Sequence, residues 1–549
     1  MPSAHVDRFV IDHLPGPDAL PRFVFEGPGL QFPPQLNVAR SLLLRHRGTA
    51  QGARPCVLGT APDGTPIAWT YDELAGGAAR VAHVLVHGLG LVPGERVLLR
   101  GANSPMLAAC WFGIVMAGGI VVGTMPQLRA RELAGIVDKA RVRVALCDAR
   151  LQDELRAAMA QAPTLQALRC FNTGDLEAAM ADAPDAPDAP DAFEPVDTAA
   201  DDPVLIAFTS GTTGQPKAAV HLHRDLMAAA ACWPVHVLRA GPDHRAIGSP
   251  PLAFTFGLGG LLVFPLAAGG STVLLEKATP DALPAAIAAH RATVCYTSPT
   301  AYRAMAPQLA GHDLSSLRQC VSAGEALPAA TRPLWRQASG IEIIDGIGST
   351  EMFHIFISAR EDQARGGATG YAVPGYEAAV LGDDGQPLPP GQVGRLAVRG
   401  PTGCRYLDDA RQAGYVQHGW NLTGDAYLVD PADGQFVYQA RTDDMIISGG
   451  YNIAGPEVEA ALLLHPAVAE CGVVGKPDEA RGMVVAAFVV LKPGQGGDAA
   501  MAAALQDFVK QTIAPYKYPR ELLFRSSLPR TETGKLQRFR LKQEAAGSA

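Results

Sequence analysis

The feature of this sequence that most restricts its fold is an alternation of two kinds of segment between residues 70 and 350. Short apolar runs such as RVLLR at 96–100 and STVLL at 271–275 have the length and composition of buried strands. Alanine-rich stretches such as residues 281–290 lie between them and favour helix. Because strands that alternate with helices build sheets covered by helices, we predict layered α/β subdomains in this part of the chain.

The pattern of the chain changes near Glu377. The segments GRLAVR at 394–399 and QFVY at 435–438 have the character of short strands, and Gly- and Asp-containing turns separate them. We predict a small β-rich layer here. It would complete a large N-terminal domain at residues 1–442.

Residues 443–549 have the pattern of a small α/β domain. The sequence predicts helices at 456–465 and 501–510, with strands at 473–474 and 484–491 between them. About a hundred residues are enough for a separate domain. A chain of 549 residues is also too long for a single hydrophobic core. We therefore predict an α/β protein with a large N-terminal domain and a small C-terminal α/β domain.

The charge and the cysteine content exclude several classes of function. The chain has 46 Lys and Arg residues against 54 Asp and Glu residues, a net charge of −8, which argues against nucleic-acid binding and against a polybasic membrane anchor. Its 9 cysteines are scattered without a CxxC pair, so neither a disulfide framework nor a zinc site is indicated. We expect a cytoplasmic protein that binds no nucleic acid and no membrane.

Two segments need separate interpretation. Residues 106–128 carry no charge and are long enough to span a bilayer, but NSP at 103–105 is suited to a helix start and two glycines at 118–119 interrupt the run. We predict a buried helix followed by a buried strand. The repeat ADAPDAPDAPDA at 181–192 is too polar to join a core and is predicted to be a surface loop.

The segment TSGTTGQPK at 209–217 has the composition of a phosphate-binding loop, and it follows the strand-like run VLIAF at 204–208. Glycines let backbone N–H groups approach an anion, hydroxyl groups add donors, and a lysine supplies a positive charge. The spacing differs from the common GxxxxGK[ST] loop. We predict that the loop holds the phosphates of a nucleoside triphosphate. The residues predicted to do so are Thr209, Ser210, Gly211, Thr212, Thr213, Gly214 and Lys217.

Four further stretches accompany this loop, namely DGIGSTE at 345–351, TGD at 423–425, RTDD at 441–444 and PRTETGKLQR at 529–538. In this order and at these separations, the five stretches resemble the acyl-adenylate-forming superfamily of acyl-CoA synthetases, carrier-loading adenylation domains and luciferases. The resemblance covers nearly the whole chain. It implies that ATP converts a carboxylate into an acyl-adenylate with loss of pyrophosphate, and that a thiol then displaces AMP. The implied cofactors are ATP, Mg²⁺ and coenzyme A.

The resemblance also implies roles around the nucleotide. The loop at 209–217 is expected to grip the β- and γ-phosphates. Glu351 is expected to bind Mg²⁺, because a carboxylate is a hard oxygen ligand, and Thr350 is expected to reach the α-phosphate. Asp425 matches the acceptor of both ribose hydroxyls, and Arg441 matches a donor to the ribose or the phosphate.

Three further roles fall at the C-terminal end. Lys535 resembles the lysine that bridges the substrate carboxylate and the α-phosphate, where an ammonium neutralises developing charge. Asp443 matches the hinge about which the small domain rotates between adenylation and thioester formation, so the resemblance implies a mobile C-terminal domain. After rotation, Gly449 and Gly450 are expected to line the pantetheine tunnel, because glycines leave room for a narrow thiol arm.

The predicted acyl site makes the resemblance more specific. GIGSTEM at 346–352, with a histidine three residues after Glu351, looks most like benzoate- and 2-aminobenzoate-CoA ligases. The resemblance implies a small aromatic carboxylate as substrate, with 2-aminobenzoate first and benzoate second. The residues expected around the acyl group are Phe254, Thr255, Phe256, Gly348 and His354.

Two positions depart from the family pattern. Ile347, which follows Gly346 in the predicted nucleotide site, stands where many relatives carry an aromatic residue that stacks on adenine, so apolar packing must replace stacking. Phe254 stands where several relatives carry histidine.

Other functions within the superfamily remain open from the sequence. An aryl-acid adenylation enzyme would share the first half-reaction but load the pantetheine of a carrier protein, and an acyl-CoA synthetase could act on another small acid. A luciferase-like oxygenase would need a larger pocket. A nucleotide sensor without catalysis is disfavoured, because both Lys535 and Glu351 are present.

Overall fold

The computed structural model describes residues 2–61, 63–172, 174–183, 193–209, 217–448, 451–478, 481–513, 515–530 and 536–547, and within these residues it contains four β-sheets with helices packed around them. The predicted fold class is confirmed. The chain is a layered α/β protein with a β-rich layer and a small C-terminal α/β domain.

The strands are short, and most of those in the two largest sheets are buried along their length. In chain order they are β1 (Pro55–Thr60), β2 (Pro66–Thr70), β3 (Arg96–Arg100), β4 (Ile120–Thr124), β5 (Val144–Asp148), β6 (Ala167–Phe171), β7 (Pro203–Thr209), β8 (Lys217–Leu222), β9 (Arg245–Gly248), β10 (Ser271–Val273), β11 (Val294–Thr297), β12 (Gln319–Ser322), β13 (Ile343–Gly348), β14 (Ile355–Ser358), β15 (Tyr371–Ala372), β16 (Glu377–Leu381), β17 (Gly394–Arg399), β18 (Val416–Gln417), β19 (Trp420–Val429), β20 (Phe436–Arg441), β21 (Ile446–Ser448), β22 (Tyr451–Ile453), β23 (Val468–Asp478), β24 (Gly482–Leu491) and β25 (Glu521–Arg525).

The α-helices lie between these strands and range from single turns to 14 residues. In chain order they are α1 (Phe9–Asp12), α2 (Val38–Leu42), α3 (Tyr71–His83), α4 (Pro105–Met116), α5 (Ala130–Ala140), α6 (Gln152–Met159), α7 (Asp175–Ala181), α8 (His223–His236), α9 (Thr255–Leu258), α10 (Phe264–Ala267), α11 (Leu283–His290), α12 (Pro299–Met305), α13 (Thr331–Ser339), α14 (Gln412–Tyr415), α15 (Gly455–Leu463), α16 (Ala499–Thr512) and α17 (Arg538–Ala545).

Two large sheets form the main body. One has six strands in the order β6-β5-β3-β4-β7-β8, parallel except that β8 runs antiparallel to β7. The other has nine strands in the order β15-β14-β13-β12-β11-β9-β10-β1-β2, parallel from β13 to β1 and antiparallel at both margins. The short turn that follows β13 contacts both β7 and β8. The ends of strands from the two sheets are therefore neighbours, and the turn Thr350–Met352 lies there beside both ends of the predicted phosphate loop.

The remaining two sheets are smaller. The β-rich layer has five antiparallel strands. Four of them have the order β16-β17-β19-β18, and β20 also pairs with β19. The C-terminal sheet has the order β22-β21-β24-β23, and β25 pairs with β24 in parallel. Helices α15 and α17 pack against β23, and α15 also contacts α16. This sheet has its own apolar core, with Ile446, Val458, Val485 and Val509 among the fully buried residues.

The uncharged segment at 106–128 folds as predicted. Helix α4 begins at Pro105, and Ser104 caps it, because the Ser104 hydroxyl oxygen accepts a hydrogen bond of 3.2 Å from the N–H of Leu107. Gly118 then takes a φ of +70°, which glycine tolerates, and β4 follows it. No helix within the described ranges is both long and apolar enough to cross a bilayer.

Some predicted boundaries were wrong by a few residues. Helix α11 begins at Leu283 and not at residue 281, because Pro284 is suited only to the first turn. Strand β23 extends over Val468–Asp478 and not only over 473–474, because it pairs with β24 along its whole length. In the proline and aspartate repeat, Ala181 ends α7, and residues 184–192 lie outside the described part of the chain.

Candidate functional site

Strands β7 and β8 form a hairpin whose tip is the predicted phosphate loop. Thr209 and Lys217 face each other at the last paired position of this hairpin, so both ends of the loop are placed. Residues 210–216 lie outside the described part of the chain. The five loop residues at 210–214 that the sequence assigns to phosphate therefore remain predictions.

The turn at Thr350–Met352 follows β13 and lies beside the hairpin. Ser349 caps it, because its hydroxyl oxygen accepts a hydrogen bond of 3.3 Å from the N–H of Met352. The ring Nε2 of His221, on β8, lies 2.8 Å from the carbonyl oxygen of Thr350. A carbonyl oxygen only accepts, so Nε2 carries the proton. Burial lowers the pKa of His221 to about 4, and the ring is neutral when it holds this turn.

Glu351 lies in the same turn and is 7% exposed. The hydroxyl of Tyr406 donates a hydrogen bond to Oε1 of Glu351. Burial, followed by the Glu351 carboxylate, raises the pKa of Tyr406 far above its ordinary value, so the phenol stays protonated as a donor. Nζ of Lys217 lies 5.1 Å from the centre of the same ring and 5.9 Å from the ring of Tyr415. Tyr406 thus touches both the end of the loop hairpin and the predicted metal ligand.

Asp425 and Arg441 are paired across β19 and β20. A guanidinium nitrogen of Arg441 lies 3.3 Å from Oδ1 of Asp425 and 3.0 Å from the carbonyl oxygen of Thr423. Gly424, which lies between Thr423 and Asp425 in the chain, has a φ of +78°. A side chain at this position would lie 2.6 Å from the Arg441 guanidinium. The structure therefore brings the two predicted ribose residues together, and the positive φ at position 424 favours glycine there.

His354 is enclosed by aromatic rings. Its ring centre lies 4.5 Å from that of Phe264, 5.4 Å from that of Trp233 and 5.5 Å from that of Phe256. Phe256 in turn lies 6.0 Å from Tyr296. We call these five residues the aromatic cluster. All except the half-buried Phe256 are almost completely buried.

The His354 imidazole is neutral and poorly paired. Burial lowers its pKa to about 3, and the backbone of Phe256 opposes this effect only in part. Among the described residues neither ring nitrogen has a partner with hydrogen-bond geometry. An unpaired polar group inside a protein costs roughly 1–3 kcal/mol, so such a group is often retained for a function.

Glycines allow the chain to pack closely around the aromatic cluster. A side chain at Gly259 would lie 2.5 Å from Cδ2 of His354, and one at Gly260 would lie 2.7 Å from ring atoms of Tyr296. A side chain at Gly348 would lie 2.5 Å from the backbone oxygen of His354. Only glycine fits at these positions without displacing its neighbours.

The other residues predicted in the acyl and adenine sites lie nearby in the chain. Phe254 is half-buried at the N-terminal end of α9, and Thr255 is buried in the first turn of that helix. Gly346 is buried in β13 and Ile347 is half-buried after it. Of the predicted acyl residues, Phe256, Gly348 and His354 are close to one another.

The predicted C-terminal residues are less completely described. Asp443 lies in a single 3₁₀ turn, Thr442–Asp444, which connects β20 to the C-terminal sheet. The next residue, Asp444, forms a 2.7 Å ion pair with Lys542 of α17. Lys535 and the pair at 449–450 lie outside the described part of the chain, so the roles assigned to them stay predictions.

A metal ion at this site would have few protein ligands. Within the described ranges, no group of three or more His, Cys, Asp or Glu side chains is arranged to hold a cation. Glu351 offers one carboxylate, whose Oε1 is taken by Tyr406. This arrangement fits Mg²⁺, which is often bound through one or two carboxylates together with the phosphates of a substrate.

Several residues near the site carry no signal in the sequence alone. They are His221, Trp233, Phe264, Tyr296, Tyr406 and Tyr415. Each is brought to the site by pairing or packing of segments that are far apart in the chain. Only a prediction of which strands are neighbours could have found them.

Comparison with known proteins shows the family of this chain. The family of AMP-binding enzymes matches residues 44–406, and the C-terminal domain of the same enzymes matches residues 457–535. A benzoate–CoA ligase of Thauera aromatica is 34% identical over 521 residues, which are 94% of this chain and 97% of the relative.

Two solved structures are similar over nearly their whole length. One is an anthranilate CoA ligase, AuaEII, in complex with anthranoyl-AMP, with a TM-score of 0.88, 34% identity, and coverage of 94% of this chain and 98% of that one. The other is a benzoate CoA ligase from Burkholderia xenovorans LB400, with a TM-score of 0.82, 31% identity, and coverage of 92% and 99%. This chain therefore belongs to the AMP-binding enzyme family and is an AMP-forming acid–CoA ligase.

Proposed function

We propose that this chain is an ATP-dependent aryl-CoA ligase that activates a small aromatic carboxylate, with 2-aminobenzoate as the preferred acid and benzoate second. The observation that carries the proposal is the aromatic cluster, which lies around His354, three residues after the predicted metal ligand Glu351. A flat ring buries a large area against aromatic side chains and has favourable geometry there.

The close packing of the cluster favours a small acid over a long one. Gly259 and Gly260 let a helical segment approach His354 and Tyr296 within side-chain contact, and we infer that little depth remains beyond these rings. A long alkyl chain would need that depth. The relatives named above act on benzoate and on anthranilate, which is 2-aminobenzoate.

The electrostatics of the cluster suit a neutral ring substituent. The five side chains are uncharged, since His354 is held neutral by burial. The amino group of 2-aminobenzoate is also essentially neutral near pH 7, so it needs no acidic partner. Neither nitrogen of His354 has a hydrogen-bond partner among the described residues and both are buried, so a hydrogen bond to that amino group requires the cluster to open around the ring.

For the first half-reaction we propose that the carboxylate of the acid attacks the α-phosphorus of ATP and that pyrophosphate leaves. Thr209 and Lys217 flank the loop assigned to the β- and γ-phosphates, and Thr350 is assigned to the α-phosphate. Glu351 would hold Mg²⁺, which would supply positive charge to the phosphates. Lys535 is proposed to neutralise the charge that develops between the two anions.

The nucleoside is assigned to the β-rich layer. The buried carboxylate of Asp425 is proposed to accept both ribose hydroxyls, while Arg441, paired with it, donates to the ribose or the phosphate. Gly346 and Ile347 are proposed to bound the adenine through apolar packing.

For the second half-reaction we propose that the domain after residue 442 rotates about Asp443, in the turn Thr442–Asp444. The pair Gly449 and Gly450 would then line the path of the pantetheine arm, and the CoA thiol would displace AMP.

All nine cysteines are free, which suits a reducing compartment such as the cytoplasm.

The proposal is tested by a panel of acids. AMP release in the presence of CoA is measured for 2-aminobenzoate, benzoate, 4-hydroxybenzoate, cinnamate and octanoate, with the natural chain and with His354→Ala. We expect 2-aminobenzoate and benzoate to give the highest kcat/KM, and we expect the variant to change this order. A preference for octanoate or cinnamate would reject the small aryl site, and an unchanged order in the variant would remove His354 from it.

A further inference from the structure

Tyr406 lies in none of the sequence motifs, but its backbone is firmly placed. The N–H of Leu407 donates to the carbonyl oxygen of Ala218 (2.9 Å), and the N–H of Val220 donates to the carbonyl oxygen of Arg405 (2.8 Å). Tyr406 is thereby bridged to Ala219 of β8. Its position is tied to the same strand that begins at Lys217 and carries the end of the predicted phosphate loop.

The side chain of Tyr406 is held on several sides. It is completely buried, and the Tyr415 ring packs edge-on against it at 5.7 Å between ring centres. Its backbone N–H donates to the side-chain oxygen of Gln412 at 2.9 Å. A ring enclosed in this way keeps a single orientation, so its hydroxyl points to one place.

That place is Oε1 of Glu351. A free glutamate side chain samples many rotamers, and ordering it on cation binding would weaken the binding. A hydrogen bond from a fixed phenol orders the carboxylate beforehand. Among the described residues the second oxygen, Oε2, makes no hydrogen bond, so it is the oxygen presented to a cation.

The geometry points to Tyr406 as a positioning residue for the metal ligand. We propose that its hydroxyl holds the Glu351 carboxylate in the rotamer that receives Mg²⁺ together with the phosphates of ATP, while its ring supports the ammonium of Lys217. This inference rests on the proposed role of Glu351. It adds a contribution from a residue outside the sequence motifs, which acts through Glu351.

The variant Tyr406→Phe removes only the hydroxyl and keeps the ring under Lys217. We would measure binding of a non-hydrolysable ATP analogue by calorimetry, once with Mg²⁺ and once with a chelator. A hydrogen bond to a charged group is lost, so we expect binding with Mg²⁺ to weaken about tenfold and binding with the chelator to remain unchanged. Tyr71→Phe is the matched control, because Tyr71 is equally buried and its hydroxyl donates to the Gly270 carbonyl, which lies outside the site.

A double-mutant cycle separates positioning from packing. In the background of Glu351→Gln, Tyr406→Phe should cause no further loss of Mg²⁺-dependent binding, because the carboxylate through which it acts is absent. Equal weakening with Mg²⁺ and with the chelator, or no weakening in either, would overturn the proposal. If Glu351→Gln itself leaves the Mg²⁺ dependence unchanged, the role of Glu351 fails. These readouts need no aromatic acid, so they do not depend on the substrate assigned above.

Discussion

His223 should make the stability of this protein depend on pH. It begins α8, is 1% exposed, and its Nδ1 accepts a hydrogen bond of 3.2 Å from the backbone N–H of Val38. Nδ1 must be unprotonated to accept, so the buried ring is neutral. Burial, with a smaller contribution from His5, lowers the pKa of His223 to about 3, and Asp202 opposes this only in part.

The sign and size of the effect follow from the two protonation states. An unfolded histidine has a pKa of about 6.5, so below that pH the unfolded chain binds a proton that the folded chain does not. The free energy of unfolding therefore falls as the pH falls from 6.5 toward the folded pKa, and it is unaffected above pH 7. At pH 5 the loss from one such histidine is about 2 kcal/mol, and this figure is nearly the same for any folded pKa below about 4.

The variant His223→Asn isolates this contribution. The asparagine side-chain oxygen can replace Nδ1 as the acceptor for Val38, but it does not titrate. Urea unfolding would be followed by tryptophan fluorescence at pH 7 and pH 5. This signal reports on the region before residue 443, where all 5 tryptophans lie, namely Trp69, Trp111, Trp233, Trp335 and Trp420. The decrease in unfolding free energy between the two pH values should be smaller in the variant by about 2 kcal/mol.

His312→Asn is the matched control, because His312 is exposed and its ring stays in water in both states. The control should show the same decrease as the natural chain. If His223→Asn also shows that same decrease, the buried ring is not the source of the pH dependence, and the reasoning from burial is refuted.

Three further outcomes are expected. Lys535→Ala should nearly abolish acyl-adenylate formation but leave thioester formation from supplied acyl-adenylate largely intact, and equal loss of both half-reactions would contradict its proposed role. Asp443→Pro should spare pyrophosphate exchange and reduce thioester production, because proline fixes φ at the proposed hinge; unchanged thioester production would place the hinge elsewhere. Gly260→Ala should lower kcat/KM for 2-aminobenzoate at least about tenfold, because the added methyl group displaces the Tyr296 ring. The KM for ATP should not change. A parallel loss for both substrates would argue against an acyl pocket at this position.

Local sequence patterns predicted the elements that carry the site. The strand at Arg96–Arg100 and the helix beginning at Pro105 were predicted at their observed positions, because apolar runs and caps are local signals. The β-rich layer was predicted from its turns, and the strand Gly394–Arg399 lies where expected. Boundaries were less accurate where pairing decides them, as in β23, whose length is set by its partner β24.

Contacts across the two large sheets could not be read from the sequence. His221 holds the turn after β13 only because β8 lies beside that turn. His221 and Thr350, which it contacts, are 129 residues apart in the chain. Tyr406 reaches Glu351 across 55 residues. The aromatic cluster likewise combines residues from four separate segments. Such contacts depend on the order of strands in each sheet, which no local pattern specifies.

The central claim, that this ligase acts on a small aromatic acid, is tested most directly by competition. The enzyme would be given equimolar 2-aminobenzoate, benzoate, cinnamate and octanoate with limiting ATP and excess CoA, and the thioesters would be identified and counted by mass spectrometry beside the AMP released. The ratio of products equals the ratio of kcat/KM values. We predict that 2-aminobenzoyl-CoA is the main product, that benzoyl-CoA is second, and that one AMP is released for each thioester. A mixture dominated by octanoyl-CoA or cinnamoyl-CoA, or AMP release without any aryl thioester, would contradict the account.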